Sequence, residues 1–587
     1  MDESAYTAQI DLCDHCDASV QYPYLPTSHK VRSDYVPTND DIKEAVSSIA
    51  EMKEALGQIN MTLDRVRGIL GSLETSKAKL EKQIEEQMAI ISPLRKIPVE
   101  VYHKIFSHAC DADENATEWD YALRVDRNQL RAPANQISLT SSHWRNIAVG
   151  YPPIWSSISV DLCATAHWKL STTTLLSTYL KNAGTNVLKI RVFSDTRCTE
   201  QAARLLACRC DGGFDAFRLL LAHMKYCEKL RLHITGHALL KDLVGTPNLR
   251  FPALRYFHNG VGMTDDVDVA STSWFWQAIG KAPCLTQLHE EFFSLPPRVD
   301  VMPYEQLTTF RFWHADKHHR FLRIIRKARN LKRLSLLWDS PDSPGSAVSS
   351  PYELASLQEL HICPSHPENF LTFIELVRAP KLTSLWIVCD PLDFDPEFER
   401  PHPVPLTFMS TLSRLPSTLQ RLHIDLNSFY PSNTSMSGLL FMFPNLTYFD
   451  ICWSSDQLQQ DRMSLWMSHL LDTLKVSSAS PSSVVAPKLE ELVLHESHSR
   501  IDSGSIEQLL TTLESRSSSR LANIGRLSEI VALRKVDFSY WTNRGTVFKS
   551  SLPVDKLLTD EHRQRLRALE EDGMACLLEE RWNHFPS

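Results

Sequence analysis

Two periods of apolar residues divide the chain. The first counts in sevens from Ile42 through Ile49, Leu56, Leu63, Leu70, Lys77, Ile84 and Ile91, with companions Ala45, Met52, Ile59, Val66, Leu73, Leu80 and Gln87. All but Lys77 and Gln87 are apolar, which is the seam of a helix that packs on another helix. Thr38 and Asn39 offer N-cap oxygens, Asp40 and Asp41 suit the helix dipole, and Pro93 stops the run. A long helix over 38–91 follows, its seam about 75 Å long at 1.5 Å per residue. Gly57, Gly68 and Gly71 fall at outward positions, while the flanking positions include Ser48, Ala55, Asn60, Thr62 and Ile69. Those flanks name neither a partner nor an orientation. Self-association through 42–91 and packing on the chain's own remainder both stay open, and the strict seven-residue period favours the first.

The second period begins near residue 187, where a Leu-x-x-Leu-x-Leu phrase keeps returning. Its clearest copies are Leu331/Leu334/Leu336, Leu357/Leu360/Ile362, Leu382/Leu385/Ile387, Leu419/Leu422/Ile424, Leu446/Phe449/Ile451 and Leu489/Leu492/Leu494. Weaker copies are Val187/Ile190/Val192, Cys227/Leu230/Leu232, Leu254/Phe257, Leu285/Leu288, Leu307/Phe310/Phe312 and Leu533/Val536/Phe538. Proline often stands two residues ahead, as in Phe-Pro-Ala-Leu254 and Ala-Pro-Lys-Leu382. Most steps are 22–31 residues, overlapping the roughly 20–29 of leucine-rich repeats. Helix-compatible stretches such as 321–328 and 370–378 lie between the phrases. Strand and helix alternating at this period predict an α/β fold, a leucine-rich-repeat solenoid with a parallel sheet lining a curved array over 161–552. A run of unrelated αβ units is the alternative, and the recurring proline argues against it. Residues 553–587 read as a helical cap through Leu557, Leu558, Leu566, Leu569 and Leu577, and residues 1–37 as a disordered lead.

In such strands the paired leucines point inward and the residues between them face the concave side. That places Arg311, Trp313, Ser335, Leu337, His361, Cys363, Trp386, Val388, His423, Asp425, Asp450 and Cys452 on the candidate substrate surface. The mixture has no dominant sign and suits a protein better than a phosphate backbone. Ser-Pro-containing stretches at 339–351 and 477–483 read as solvated loops.

Between the two periods lies a block with its own signature. Ile97-Pro98-x-Glu100-Val101 is followed by Ile105-Phe106, then Ser138 through Trp144-Arg145-x-Ile147-Ala148, then Pro152-Pro153-x-Trp155. In order and spacing residues 92–160 resemble the F-box, and a coiled coil running into Ser92-Pro93-Leu94 resembles a subfamily expanded in fungi. The resemblance implies a small all-α domain that binds a Skp-type adaptor, and through it a cullin. It implies an adaptor surface at Leu94, Ile97, Pro98, Val101, Ile105, Phe106, Ile137, Leu139, Trp144 and Ile147. Where the family commonly has Val-Cys, this chain has Thr140-Ser141, and its 111–131 insertion is long and acidic. The chain would then be a substrate receptor of a cullin–RING ubiquitin ligase; a non-degradative scaffold with a vestigial F-box is the alternative.

Composition narrows the classes. Glycine is scarce, 18 in 587 residues, about 3% against a usual level near 7%, which disfavours glycine-rich phosphate loops. The net charge of −8 gives no general pull toward nucleic acid or acidic membranes. The 13 cysteines, mostly single within apolar stretches, and a start without an apolar signal segment suit a cytoplasmic or nuclear protein. No Walker A, Gly-x-Ser-x-Gly or His-Glu-x-x-His sequence is present. His495-Glu-Ser-His498 has the wrong spacing for a zincin helix and reads as a surface loop. Cys13-Asp-His-Cys16 lacks a nearby second pair of ligands, with Cys208 and Cys210 far away in sequence. The reading is a protein that binds proteins, with no catalytic residue, metal or cofactor.

Overall fold

The computed structural model describes residues 6–13, 18–24, 35–111, 123–125, 130–162, 169–193, 211–234, 249–261, 273–290, 301–312, 318–338, 351–364, 367–388, 415–425, 438, 440–454, 460–477, 484–497, 503–524, 530–542 and 558–582. The chain is mixed α/β, with a long N-terminal helix and a large, mostly parallel sheet. It divides into two units, Met1–Tyr102 and His103–Ser587. Among the described residues no helix is long and apolar enough to cross a membrane.

The first unit opens with an antiparallel hairpin, β1 (Tyr6–Cys13) and β2 (Ala18–Tyr24), in which Ile10 faces Val20 in register. The expected disordered lead therefore contains paired strands. Helix α1 (Asn39–Ile91) follows, capped reciprocally: Thr38 Oγ1 accepts from the Asp41 amide at 3.3 Å, and the Asp41 carboxylate accepts from the Thr38 amide at 2.8 Å. Most of its seam is open to solvent, from Ile42 and Ile49 through Leu63 and Leu70 to Ile84 and Ile91, while β2 lies against the helix and Ile59 is half-buried.

A helical block comes next: a 3₁₀ turn (Pro93–Lys96), α2 (Val99–Asp111), α3 (Pro133–Thr140), α4 (Ser142–Val149) and a second 3₁₀ turn (Pro152–Trp155). The stretch expected to be an insertion loop contributes two short strands, β3 (Leu123–Val125) and β4 (Leu130–Arg131). Then come β5 (Ser157–Asp161), β6 (Leu188–Phe193), β7 (Cys227–His233), β8 (Tyr256–Asn259), β9 (Gln287–Glu290), β10 (Thr309–Phe312) and β11 (Arg333–Trp338). The remainder are β12 (Tyr352–Glu353), β13 (Glu359–Pro364), β14 (Val377–Arg378), β15 (Ser384–Ile387), β16 (Arg421–Asp425), β17 (Tyr448–Ser454), β18 (Glu491–Ser497), β19 (Lys535–Thr542) and β20 (Ala575–Trp582).

Sixteen of these strands form one sheet in chain order, β4 and β3 at one end and β20 at the other, with β12 and β14 pairing separately. Only the β3–β4 pair is antiparallel within it. Every copy of the leucine phrase supplies a strand. The sheet also begins before residue 160, inside the block expected to be all-α, and it ends with a strand in the segment expected to be a helical cap. That segment holds one helix, Asp560–Glu571, and Leu577 sits in β20. His495, expected in a loop, lies within β18, paired with Cys452 and Ser539.

One turn recurs ahead of the strands. The amide of the leading leucine donates to the carbonyl three residues back, as in Leu254 to Phe251, Leu357 to Leu354, Leu382 to Ala379, Leu446 to Phe443 and Leu489 to Ala486. Proline falls at the second turn position, where its fixed φ presets the bend. The next leucines then stack strand over strand as Phe310, Leu334, Leu360, Leu385, Leu422, Phe449 and Leu492, all buried. Near the C-terminal end a fully buried arginine binds three backbone carbonyls on two other segments. Arg516 donates to the carbonyls of Leu474 at 2.6 Å, Ala486 at 3.1 Å and Val485 at 2.5 Å. Burial pulls its pKa down to about 10, so it remains a cation at neutral pH.

The turn Leu354-Ala-Ser-Leu357 has the same hydrogen bond without the proline. Ala355→Pro is expected to stabilise the fold by about 0.4–1 kcal/mol by restricting the unfolded chain, measured by denaturant unfolding.

Candidate functional site

Two surfaces carry chemistry suited to partners. The first is the helical block. Its apolar residues divide between core and surface in a way sequence alone did not separate. Phe106, Ile137 and Ile147, expected to face an adaptor, are buried. They belong to the block's own core: the Phe106 ring lies 5.3 Å from half-buried Trp144, and the Trp155 indole donates to the Ala148 carbonyl at 2.7 Å and packs edge-on against Tyr179. Tyr151 stacks on His103 at 4.0 Å. Ile97 is half-buried. In the first unit Leu94, Pro98 and Val101 are exposed; in the second unit Ile105 and Leu139 are exposed, Leu139 to 64%.

The departure at Thr140-Ser141 has a local cause. Ser141 is the N-cap of α4, its hydroxyl accepting from the Trp144 amide at 3.1 Å. The residue thus orients the helix that carries Trp144 and Ile147. Ser141→Ala is expected to cost about 1 kcal/mol of stability, whereas a change that only touched a partner would leave the unfolding midpoint unmoved.

The second surface is the sheet face opposite the leucines. One register column runs through Arg124, Ser159, Arg191, Arg231, His258, His289 and Arg311. It continues through Ser335, His361, Trp386, His423, Asp450, Val493 and Asp537. The expected mixture without a dominant sign holds only from Arg311 onward. Upstream, arginine and histidine share the column with Ser159, with Asp161 buried two residues along β5, and beyond His423 aspartates appear in the column itself. Reading the phrase's fifth position back through its weaker copies exposes Arg191, Arg231, His258 and His289, the residues that the sequence reading left out.

Part of this face is covered by the chain itself, since His258, His289, His423, Asp450 and Asp537 are buried. Leu337, expected on the open face, is buried as well. Arg191, Arg231, Arg311, Ser335 and Trp386 are half-buried, and His361 reaches solvent. Trp313 and the side chain of Asp425 lie outside the described residues, as do 339–350, 478–483, Cys208 and Cys210.

The centre of the column is an aromatic ladder. Trp386 stacks between His361 at 5.2 Å and His423 at 4.7 Å, and its indole donates to the Ser384 hydroxyl at 3.0 Å. Asp450 anchors the ladder's end: its Oδ2 lies 2.7 Å from His423 Nδ1 and accepts from the Tyr448 hydroxyl at 2.9 Å. The Arg421 guanidinium covers the Tyr448 ring at 4.3 Å. Desolvation by packed neighbours, with Arg311, His423 and Arg333 nearby, pushes His361 down to about 4, leaving it neutral at physiological pH. The ladder offers flat rings and neutral imidazole for stacking. Among the described residues no cluster of His, Cys, Asp or Glu could hold a metal ion.

A different polar pair interrupts the core. Asn259 and Glu290 occupy the position held by Leu232 and Phe312 on either side. Both are fully buried, and the Asn259 amide donates to Glu290 Oε2 at 2.6 Å. Burial raises the Glu290 pKa to about 8, only partly opposed by Asn259. The folded chain therefore holds a proton that the unfolded chain releases above the ordinary carboxylate range. Stability from this group is lost as pH rises from that range toward 8. Glu290→Gln is expected to raise the melting temperature relative to the parent increasingly from pH 5 to pH 8, as read from paired thermal melts.

Comparison with protein-family models finds no match, and comparison with curated proteins finds none. Among solved structures, the chain is similar to a crystal structure of a Bacteroides fragilis protein from the Northeast Structural Genomics Consortium. That similarity is 12% identity over 66% of this chain and 85% of the other, with a TM-score of 0.26. At that level it carries no argument about function.

Proposed function

We propose that the chain is a substrate receptor of a cullin–RING ubiquitin ligase. In this reading residues 92–160 are an F-box that docks on a Skp-type adaptor, and the large sheet is a degenerate leucine-rich-repeat solenoid that holds the substrate protein. The receptor performs no bond chemistry. It raises the substrate's effective concentration beside a ubiquitin-charged enzyme belonging to other subunits. The assembly would work in the cytoplasm or nucleus.

The observation that carries the reading is the solvent exposure of Ile105 and Leu139 on the second unit's part of the motif-bearing block. A block that already has a core in Phe106, Ile137 and Ile147 gains nothing internally from exposed aliphatics, but a partner helix would cover them. The sheet face supports a protein substrate: a cation-rich stretch at Arg191, Arg231 and Arg311 leads into the stacked Trp386. That combination suits an acidic segment followed by an aromatic side chain.

Co-purification with the adaptor tests the reading. The full chain is expected to retain it, and an Ile105→Asp/Leu139→Asp variant with unchanged circular dichroism is expected to lose it at least tenfold. A wild-type chain that brings down no adaptor at micromolar concentration leaves the scaffold reading in its place.

A further inference from the structure

The seam of α1 presents an apolar stripe to solvent, and its polar positions say what covers it. We propose that residues 42–91 form an antiparallel coiled coil with a second copy of this chain, an inference independent of any ubiquitin role. The exposed large apolar residues of α1 lie in the seam or directly beside it, with Met61 the exception. Gly57, Gly68 and Gly71 stand outward in open space, so none weakens the contact line.

Orientation follows from Lys77 and Gln87. In a parallel, in-register pair each would meet its own copy at the axis, putting two ammonium groups together in an apolar core. In an antiparallel pair overlapping over 45–91, Lys77 instead meets Ile59 and Gln87 meets Ile49. Lys77 keeps Glu81 of its own helix 3.8 Å away, so its charge stays compensated at the edge.

The flanking positions, too sparsely charged to name a partner by themselves, agree once Lys77 and Gln87 have set the orientation. Antiparallel packing sets the position after each companion residue against the same position of the partner helix. Lys53 then faces Glu81, Asn60 faces Glu74, and Val46 faces Met88, each contact occurring twice by symmetry. The one like-charged contact is Arg67 with its own copy at the two-fold axis, and Asp64 lies 3.3 Å from Arg67 to offset it. Parallel packing would instead pair Ser48 with Lys53, Thr62 with Arg67, Ile69 with Glu74 and Ser76 with Glu81, which gives no charge pair. One arrangement uses the charges, and the other wastes them.

The test uses the full chain. Light scattering should give twice the chain mass of 66.9 kDa, and Leu63→Asp/Leu70→Asp should return it to monomer with helix content kept in the rest of the fold. Spin labels introduced at Glu85 as an unnatural amino acid should lie about 50 Å apart, against roughly 20 Å or less in a parallel pair. Lys53→Glu and Glu81→Lys should each weaken their own dimer about tenfold, while a mixture of the two variants should form heterodimer at parental affinity. A monomeric parent, a short Glu85 distance, a dimer that survives the two aspartates, or the absence of heterodimer preference would each overturn the proposal.

Discussion

The large sheet depends on one constraint: each strand must place a leucine-like side chain directly over the one before it. The recurring turn makes this possible, because a single amide-to-carbonyl hydrogen bond fixes where the strand begins relative to its leading leucine. Backbone ladders then lock neighbouring strands at the same register from β5 to β20. A slip of one residue would send every stacked side chain to the other face. The buried columns and the turn therefore specify each other, and proline at the second turn position strengthens the choice without being required for it.

Where the constraint is relaxed, polar groups appear with their partners. Arg516 enters the core only because three carbonyls receive its guanidinium, and an arginine without a carboxylate at that depth would otherwise be costly. Asn259 and Glu290 likewise replace two apolar layers by a mutually bonded pair. The opposite face carries no such obligation to be apolar. Its side chains are free to change sign along the array, from arginine and histidine through stacked rings to aspartate.

Much of this was legible in the sequence because periodicity constrains both ends of a residue's environment. The phrase located its strands, and the heptads located α1 to within a residue or two. What escaped had weak or shared patterns. Strands β3 and β4 are too short to show alternation, β20 reads equally well as a helix through Leu577, and the β1–β2 hairpin lies in a proline-containing polar stretch. In the helical block, Phe106, Ile137 and Ile147 are as apolar as Ile105 and Leu139, and only packing against Trp144 and its neighbours separates core from surface. On the sheet face, the cationic stretch lies in the weaker phrases, where Asn259 and Glu290 stand in place of the sixth-position apolar residue and blur the repeat. His423 is buried between Trp386 and Asp450 of the two neighbouring strands, a pairing that no local pattern records.

The chain-ordered sheet has an evolutionary corollary. From β5 to β20 the strands of the large sheet follow one another in chain order, with β12 and β14 paired outside it, so a connection can lengthen or shorten without disturbing any other strand, and each doubling of its length costs only about 0.6 kcal/mol in closure entropy. The connection from Ile387 to Arg421 is longer than that from Phe312 to Arg333, yet both feed the same register. Such an architecture lets insertions accumulate at its rim while the stacked columns stay fixed. Lineages can thus remodel what surrounds the ladder of His361, Trp386 and His423 without first re-inventing the frame that holds it.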